Sequence, residues 1–311
     1  MKRLAVRAVI GLIWLVALGS CNQTKYTAEY YDVFDTYTLI VSYGKPVPPE
    51  LHEELLRLHR LFDIYNDYEG VTNVKTVNDS AGSGEWFEAS EGDMAALIRK
   101  AIQFSKVYDD TVDITLGSVL QVWHDYREEG ATIPPRELLE SAGEHVGYDK
   151  LEWDAVNVRF RLTDSMASLD VGALAKGYAA DKVGRLAEEL NFRGTISIGG
   201  SIWTSKKTPF GKRYWTVGIQ DPDGGVYQTL NVRPGMCVST SGNYERFYEV
   251  DGVRYHHIID PKTLYPANRG YRSVTIVCSS ALYADYISTY EFIRLNEELV
   301  ALNEAQIYYI S

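Results

Sequence analysis

The 311-residue chain is poor in cysteine, with three. None stands in a Cys-x-x-Cys pair or at a metal-ligand spacing from histidine, which removes zinc ribbons and dithiol redox motifs from consideration. Blocks of like charge and low-complexity tracts are missing, so extended disorder beyond the N-terminus is not expected. Lys/Arg clusters interleaved with aromatics are missing too, and the formal net charge is −11. Such a chain is a poor binder of nucleic acid, whose affinity rests on phosphate neutralisation. Acidity does not exclude a small phosphate ligand, because backbone N–H groups or a metal can hold one. The sequence has no Gly-x-Gly-x-x-Gly, no Gly-x-Ser-x-Gly elbow and no His-Glu-x-x-His helix. Gly172–Gly177 has the outline of a phosphate loop, but Tyr178 stands where a Walker A motif requires Lys.

The apolar run Val9–Leu18 is shorter than a membrane-spanning helix. It follows Lys2, Arg3 and Arg7 and ends in Leu18-Gly19-Ser20-Cys21, an order that reads as an export signal. The last four residues resemble a bacterial lipobox. That resemblance implies a signal peptide over residues 1–20, cleavage before Cys21, lipidation of its thiol, and a polar tether over 21–28. The product would be a membrane-anchored lipoprotein facing the periplasm. An ordinary signal peptide containing a cysteine is the plainer alternative. Cys237 and Cys278 lie in apolar, strand-like runs and are expected as two buried thiols rather than a disulfide.

What remains is ordinary globular material, 45% hydrophobic and 23% charged, enough for a large core. Helical spacing of apolar residues predicts helices over Pro49–Tyr65, Met94–Tyr108 and Gly117–His124, and a short one from Pro134-Pro135 through Ser141. Val171–Leu190 is the longest helical segment, with Asp170 placed to cap it. Val33–Tyr43 reads as a strand and Leu151–Leu162 as a hairpin. From Gly194 onward strands dominate: Thr195–Ile198, Trp215–Ile219, Gln228–Val232, Val238–Ser241, Tyr244–Val250, Tyr255–Ile259 and Ser273–Cys278. A final helix starts near Ser280. The class is α+β, an antiparallel-sheet-rich core with flanking helices. With no repeat and no linker, residues 29–311 are expected to form one domain.

Three segments could carry chemistry. In Leu169–Asp181 a strand end meets a helix start, small residues at 172, 173, 175 and 177 allow close backbone approach, and Lys176 adds a positive charge; a helix N-terminus of this kind favours anions. In Tyr255–Pro261, His257 could accept a proton near neutral pH. In Ala284–Thr289, Asp285 and Thr289 are four apart and share a helix face, and a carboxylate and hydroxyl are hard oxygen ligands suited to Mg²⁺. Each segment alone has a plainer structural reading: a tightly packed Gly/Ala helix, a satisfied histidine, and a capped helix start.

In order and spacing the chain resembles the ApbE-type FAD:protein FMN transferases. Phe34-Asp35-Thr36 stands at that family's Met-Gly-Thr, and Phe62–Tyr65 at its Phe-Ser-x-Tyr. Val112–Gly117 resembles Phe-Asp-Ile-Thr-x-Gly, and Leu169–Asp181 resembles its Gly-(Ile/Leu)-Ala-Lys-Gly-(Tyr/Phe) segment, with Leu174-Ala175-Lys176-Gly177-Tyr178 in this chain. Ile196–Ile202 follows Leu-Gly-Gly-(Asp/Asn)-Ile. Thr240–Arg246 matches Thr-Ser-Gly-x-Tyr-Glu-Arg, His257–Pro261 matches His-Ile-Ile-Asp-Pro, and Ala284–Thr289 matches Ala-Asp-x-x-Ser-Thr. Eight motifs in series outweigh the plainer readings. The resemblance implies a T-fold-like architecture and transfer of FMN from FAD to a Thr or Ser hydroxyl of an acceptor protein, releasing AMP. It implies Mg²⁺ on the Ala173 carbonyl, Asp285 and Thr289; flavin nucleotide contacts from Phe34, Tyr65, Val112, Asp113, Asp170, Lys176 and His257; and His257 as the catalytic group. It further implies an acceptor among membrane electron-transfer subunits. Splitting of FAD to FMN and AMP by water, or mere binding of FAD by a lipoprotein, stay open at this point. Phe34 and Asp35 replace the Met and Gly of the family pattern, where flavin contacts are expected to differ, and Leu264 replaces a Gly after Asp-Pro-x-Thr, where an altered turn is expected.

Overall fold

The computed structural model describes residues 23–89, 92–295 and 305–311. The expected signal peptide and Cys21 lie outside them. The chain enters through β1 (Lys25–Val33) and β2 (Thr36–Tyr43), joined by Phe34 and Asp35 at φ 55° and 48°. Two left-handed residues make the primed hairpin turn that matches strand twist. Neither is Gly or Asn, so the turn carried no sequence signal, and the expected single strand Val33–Tyr43 hid a hairpin. Lys25–Ala28, expected as tether, are strand residues paired with Ile40–Tyr43. The strand reads as polar because it lies at the sheet edge, where alternate side chains meet water.

Then come α1 (Pro49–Phe62), α2 (Val74–Asp79), β3 (Phe87–Glu88), α3 (Asp93–Ser105), α4 (Gly117–Glu129), α5 (Arg136–Gly143), β4 (Leu151–Asp154) and β5 (Arg159–Leu162). Helix α1 buries Leu51, Leu55, Leu58 and Phe62. It stops short of the expected Tyr65 because the Asp63 carboxylate accepts the N–H groups of Tyr65 and Asn66 at 2.7 and 3.1 Å, a turn that competes with helix. Helix α2 is held by a reciprocal cap between Asn73 and Thr76; it is too short to show a period. The second half is α6 (Gly172–Glu189), β6 (Gly194–Ile198), β7 (Ser201–Thr204), β8 (Trp215–Gln220), β9 (Val226–Val232), β10 (Cys237–Gly242), β11 (Phe247–Val250), β12 (Val253–His256), β13 (Ile259–Asp260), β14 (Tyr265–Pro266), β15 (Ser273–Cys278), α7 (Ala281–Arg294) and β16 (Gln306–Ile310). The strand expected over Tyr255–Ile259 is broken at His257-Ile258. The α6 cap position is Val171, and Asp170 sits one residue earlier, accepting the Gly172 N–H at 2.7 Å.

Seven strands form one antiparallel sheet in the order β1-β2-β6-β7-β10-β15-β16. This is the expected α+β class with a large antiparallel core. Helices α6 and α7 contribute to the main core with Leu174, Ala179, Val183, Tyr286 and Ile287. On the opposite face the β8–β9 ribbon buries Trp215, Val217, Ile219, Leu230 and Val232 against Val238, Val277 and Ile310, each worth about 1.5–3 kcal/mol of transfer free energy. A third cluster joins α4 and α5 to β11 and β12 around Trp123, whose ring stacks on Tyr255 at 5.8 Å. Leu264 adopts φ 63°, and its carbonyl accepts the Trp123 indole N–H at 2.9 Å. A leucine thus occupies the left-handed backbone that glycine adopts without strain, and the tie to Trp123 holds it there. Cys237 and Cys278 are buried free thiols opposite one another across β10 and β15.

Helices α6 and α7 approach one another closely at Gly177. A Cβ there would lie 2.5 Å from the Ala281 carbonyl oxygen, 2.6 Å from Asp285 Cβ and 2.8 Å from Leu282 Cα. Two of those atoms are backbone, so the helices themselves must part. Gly177→Ala is expected to lower the unfolding free energy by about 1–3 kcal/mol, read from denaturant titrations; unchanged stability would show slack between the helices.

Candidate functional site

A cavity of about 540 Å³ opens between the α6–α7 end of the sheet, the β1–β2 turn, α4 and the segments that flank the β11–β12 ribbon, 244–246 and 257–259. That is room for a mid-sized organic ligand. All ten residues singled out from the sequence line it: Phe34, Tyr65, Val112, Asp113, Asp170, Ala173, Lys176, His257, Asp285 and Thr289. They come from loops and helices as much as 255 positions apart in the chain, counting from Phe34 to Thr289.

The polar end is built by α6 and α7. Gly177 N–H, the donor that helix geometry assigns to the Ala173 carbonyl, bonds Asp285 Oδ2 at 2.9 Å. The Ala173 carbonyl and the Asp285 carboxylate therefore converge on one N–H. Lys176 Nζ donates to the Gly172 carbonyl at 3.1 Å and lies 3.6 Å from Asp285 Oδ2. One turn along α7, the Thr289 hydroxyl donates to the Asp285 carbonyl at 3.2 Å and lies 3.0 Å from Ser241 Oγ. With its proton on that carbonyl, the hydroxyl keeps at least one lone pair for a ligand. Among the described residues no three His, Cys, Asp or Glu side chains gather at a metal-binding distance. A metal here would take carbonyl, carboxylate, hydroxyl and substrate oxygens, the donor set of a hard cation. The chemistry of these donors fits such an ion.

His256 and His257 part ways as adjacent residues at a strand end. His256 is buried; its Nε2 bonds the Ala267 carbonyl at 2.8 Å and its Nδ1 accepts the Ile258 N–H at 3.2 Å. Burial pushes its pKa down to about 4. It is a structural, neutral imidazole. His257 faces the cavity, with Nδ1 3.3 Å from the Arg246 carbonyl. Burial first, and then the cations of Arg246 and Lys176 together with His256, push its pKa down to about 3. The ring is neutral at pH 7 and able to accept a proton. An anionic ligand beside those cations opposes two of these causes and raises the pKa toward a useful range.

The flavin-contact candidates occupy the other walls. The Phe34 N–H donates to His59 Nδ1 at 3.1 Å, fixing the hairpin tip on α1. Tyr65 is 46% exposed, its ring tilted against His124 at 5.3 Å. Asp113 Oδ1 accepts both the N–H and the hydroxyl of Thr115 at 2.7 Å, while burial raises its pKa. Burial also raises the pKa of Asp170.

Several cavity groups went unassigned in the sequence. Arg127 Nη2 bonds His124 Nδ1 at 2.9 Å, and Arg246 Nη2 donates to the Asp35 carbonyl at 3.3 Å. Both side chains bring positive charge to the cavity of an acidic protein. Arg246 lies in a quoted motif and was legible there; Arg127 and His124 share a helix face and had no motif. Ser201 and Ser239, which hold Asp285, belong to strands whose pairing the sequence does not state.

The ApbE family profile matches residues 23–309. The FAD:protein FMN transferase of Treponema pallidum is 30% identical over 314 aligned positions, covering 93% of this chain and 85% of that protein. That of Haemophilus influenzae is 30% identical over 221, covering 68% of this chain and 63% of that protein. The crystal structure of the ApbE protein from Thermotoga maritima superimposes with a TM-score of 0.80 at 33% identity, covering 92% of this chain and 94% of that one. With the fold, the cavity and the profile in agreement over nearly the whole described chain, this protein belongs to the ApbE family.

Proposed function

We propose that the cavity binds FAD with its pyrophosphate over the α6 start and joins the FMN half to a Thr or Ser hydroxyl of an acceptor protein. The chain is an FAD:protein FMN transferase, as are the relatives it matches. The carrying observation is that Ala173, Asp285 and Thr289 line one cavity together with Lys176 and His257, with Asp285 Oδ2 held to the first turns of α6 by the Gly177 N–H.

The acceptor oxygen attacks the phosphorus on the riboflavin side. The bond from that phosphorus to the bridging oxygen breaks, and the bridging oxygen leaves with AMP. The hydroxyl proton passes to His257, which enters the step neutral. Mg²⁺, when held by Ala173, Asp285 and Thr289, neutralises charge that builds on the phosphate oxygens. Lys176 and Arg246 add positive charge beside His257, and the N–H groups at the α6 start face anions. Phe34, Tyr65 and the Val112-Asp113 segment line the end of the cavity that suits the flavin. Replacing acceptor by water would give FMN and AMP with the same groups.

Lipidation at Cys21 would hold the enzyme at a membrane face in the periplasm, beside membrane electron-transfer subunits as acceptors. Among the described residues no helix is long and apolar enough to cross a membrane. Cys21→Ala is expected to move the protein from the membrane to the soluble fraction, judged by fractionation; retention in the membrane would sink the anchor.

With FAD, Mg²⁺ and an acceptor subunit, mass spectrometry should find FMN added to the acceptor, and Asp285→Ala should abolish the addition. Transfer undiminished in that variant would remove the metal assignment. Rapid FMN release without acceptor would make the chain a hydrolase. For His257→Gln the expectation is a kcat lower by about 10²–10⁴-fold with FAD binding retained. In the unaltered enzyme, protonation of His257 abolishes the base, so activity is lost as pH falls through its pKa. Because that pKa is depressed below 6.5, the acid limb of kcat/KM should lie below pH 6.5. A limb at or above that value contradicts the role.

A further inference from the structure

The two oxygens of Asp285 are used differently. The residue is 3% exposed. Oδ1 accepts from Ser201 Oγ at 2.9 Å and from Ser239 Oγ at 2.8 Å, and the two hydroxyls are 3.0 Å apart. Each hydroxyl has one proton, and an ionised carboxylate is the stronger acceptor, so both protons point to Oδ1. Oδ2 takes the Gly177 N–H and faces Lys176 and the cavity. Both serines are fully buried and stand behind the cavity wall. Their placement follows from strand register: Val238 pairs with Ile202 across β10 and β7, which sets position 239 opposite 201. Two hydroxyls are thus buried in the sheet at the back of one carboxylate, with one oxygen of it left for the cavity.

We propose that Ser201 and Ser239 are positioning residues that restrict Asp285 to ligation through Oδ2 alone, and so set the preference of the site for Mg²⁺ over Ca²⁺. The inference rests on the metal reading given above. Mg²⁺ demands compact octahedral geometry and takes carboxylates through one oxygen, whereas the larger Ca²⁺ accepts both oxygens of one carboxylate. With Oδ1 held by two buried donors, a two-oxygen grip would strip both hydroxyls of their acceptor. Burial leaves no water to replace it. Removing the hydroxyls frees Oδ1 and opens the site to the larger ion.

The test is calorimetric titration of the metal-free full chain with MgCl₂ and separately with CaCl₂, with no flavin present. The unaltered protein, Ser201→Ala, Ser239→Ala and the double variant are compared. Changes behind a metal ligand typically move affinity by about 10–100-fold, so the ratio of Mg²⁺ to Ca²⁺ affinity should fall by about 10-fold in the double variant and by less in each single one. Thermal melts run alongside: a merely structural pair would lower Tm and leave the ratio unmoved. If the double variant fails to fold, the single variants decide. An unchanged ratio in folded variants overturns this inference and leaves the metal reading standing. Absence of divalent-ion binding by the unaltered protein overturns both.

Discussion

Contact between α6 and α7 at Gly177 governs the rest of the site. Without a side chain at 177 the helices come within van der Waals range of one another's backbone, and the Gly177 N–H reaches Asp285 Oδ2. One short hydrogen bond therefore does three things. It draws the carboxylate to the first turns of α6, it engages the donor that would otherwise belong only to the Ala173 carbonyl, and it leaves Lys176 on the cavity side of the pair. The sheet beneath fixes this arrangement: β7 and β10 supply the serines behind Asp285, and β10 also carries Ser241, which meets Ser288 and Thr289 on the next turn of α7.

Charge is distributed in two ways. Outside the cavity, cations are paired locally, as where Lys182 and Arg57 meet Asp93 beside the Tyr178 hydroxyl. Burial raises the Asp93 pKa, but those partners outweigh it and hold the carboxyl down at about 2. Within the cavity, Arg127 and Arg246 bond a ring nitrogen and a carbonyl, neither of which cancels a charge. Two guanidinium groups are thus kept at the wall of a cavity that is also lined by the carboxylates of Asp35, Asp113, Asp170 and Asp285, and a low local dielectric makes each charge there count for more than it would in water.

Much of this was legible in the sequence. The motifs around Lys176, His257 and Asp285 named residues that the fold brings to one cavity, and helical period found α1, α3, α6 and α7. What escaped had physical reasons. The β1–β2 turn uses Phe34 and Asp35 in a conformation usually left to Gly and Asn, and β1 itself is a polar edge strand. Helix α2 is defined by a cap rather than by an apolar stripe. The sequence does not state what holds His256: the strand ends after it, and hydrogen bonds to Ala267 and Ile258 make it a fixture of the core while His257 lines the cavity.

Sequence by itself determined the class of elements, the family and the chemical types available: a carboxylate and a hydroxyl one helical turn apart, a lysine at a helix start, a histidine before Asp-Pro. These are local properties, set by spacing along one segment. Only tertiary structure decided which oxygen of Asp285 faces the cavity, which histidine is neutral in the core and which lines the cavity, and that Ser201 and Ser239 stand behind the carboxylate. Those depend on strand register and on a helix crossing permitted by one missing Cβ, distances between atoms far apart in the chain that spacing along it does not specify.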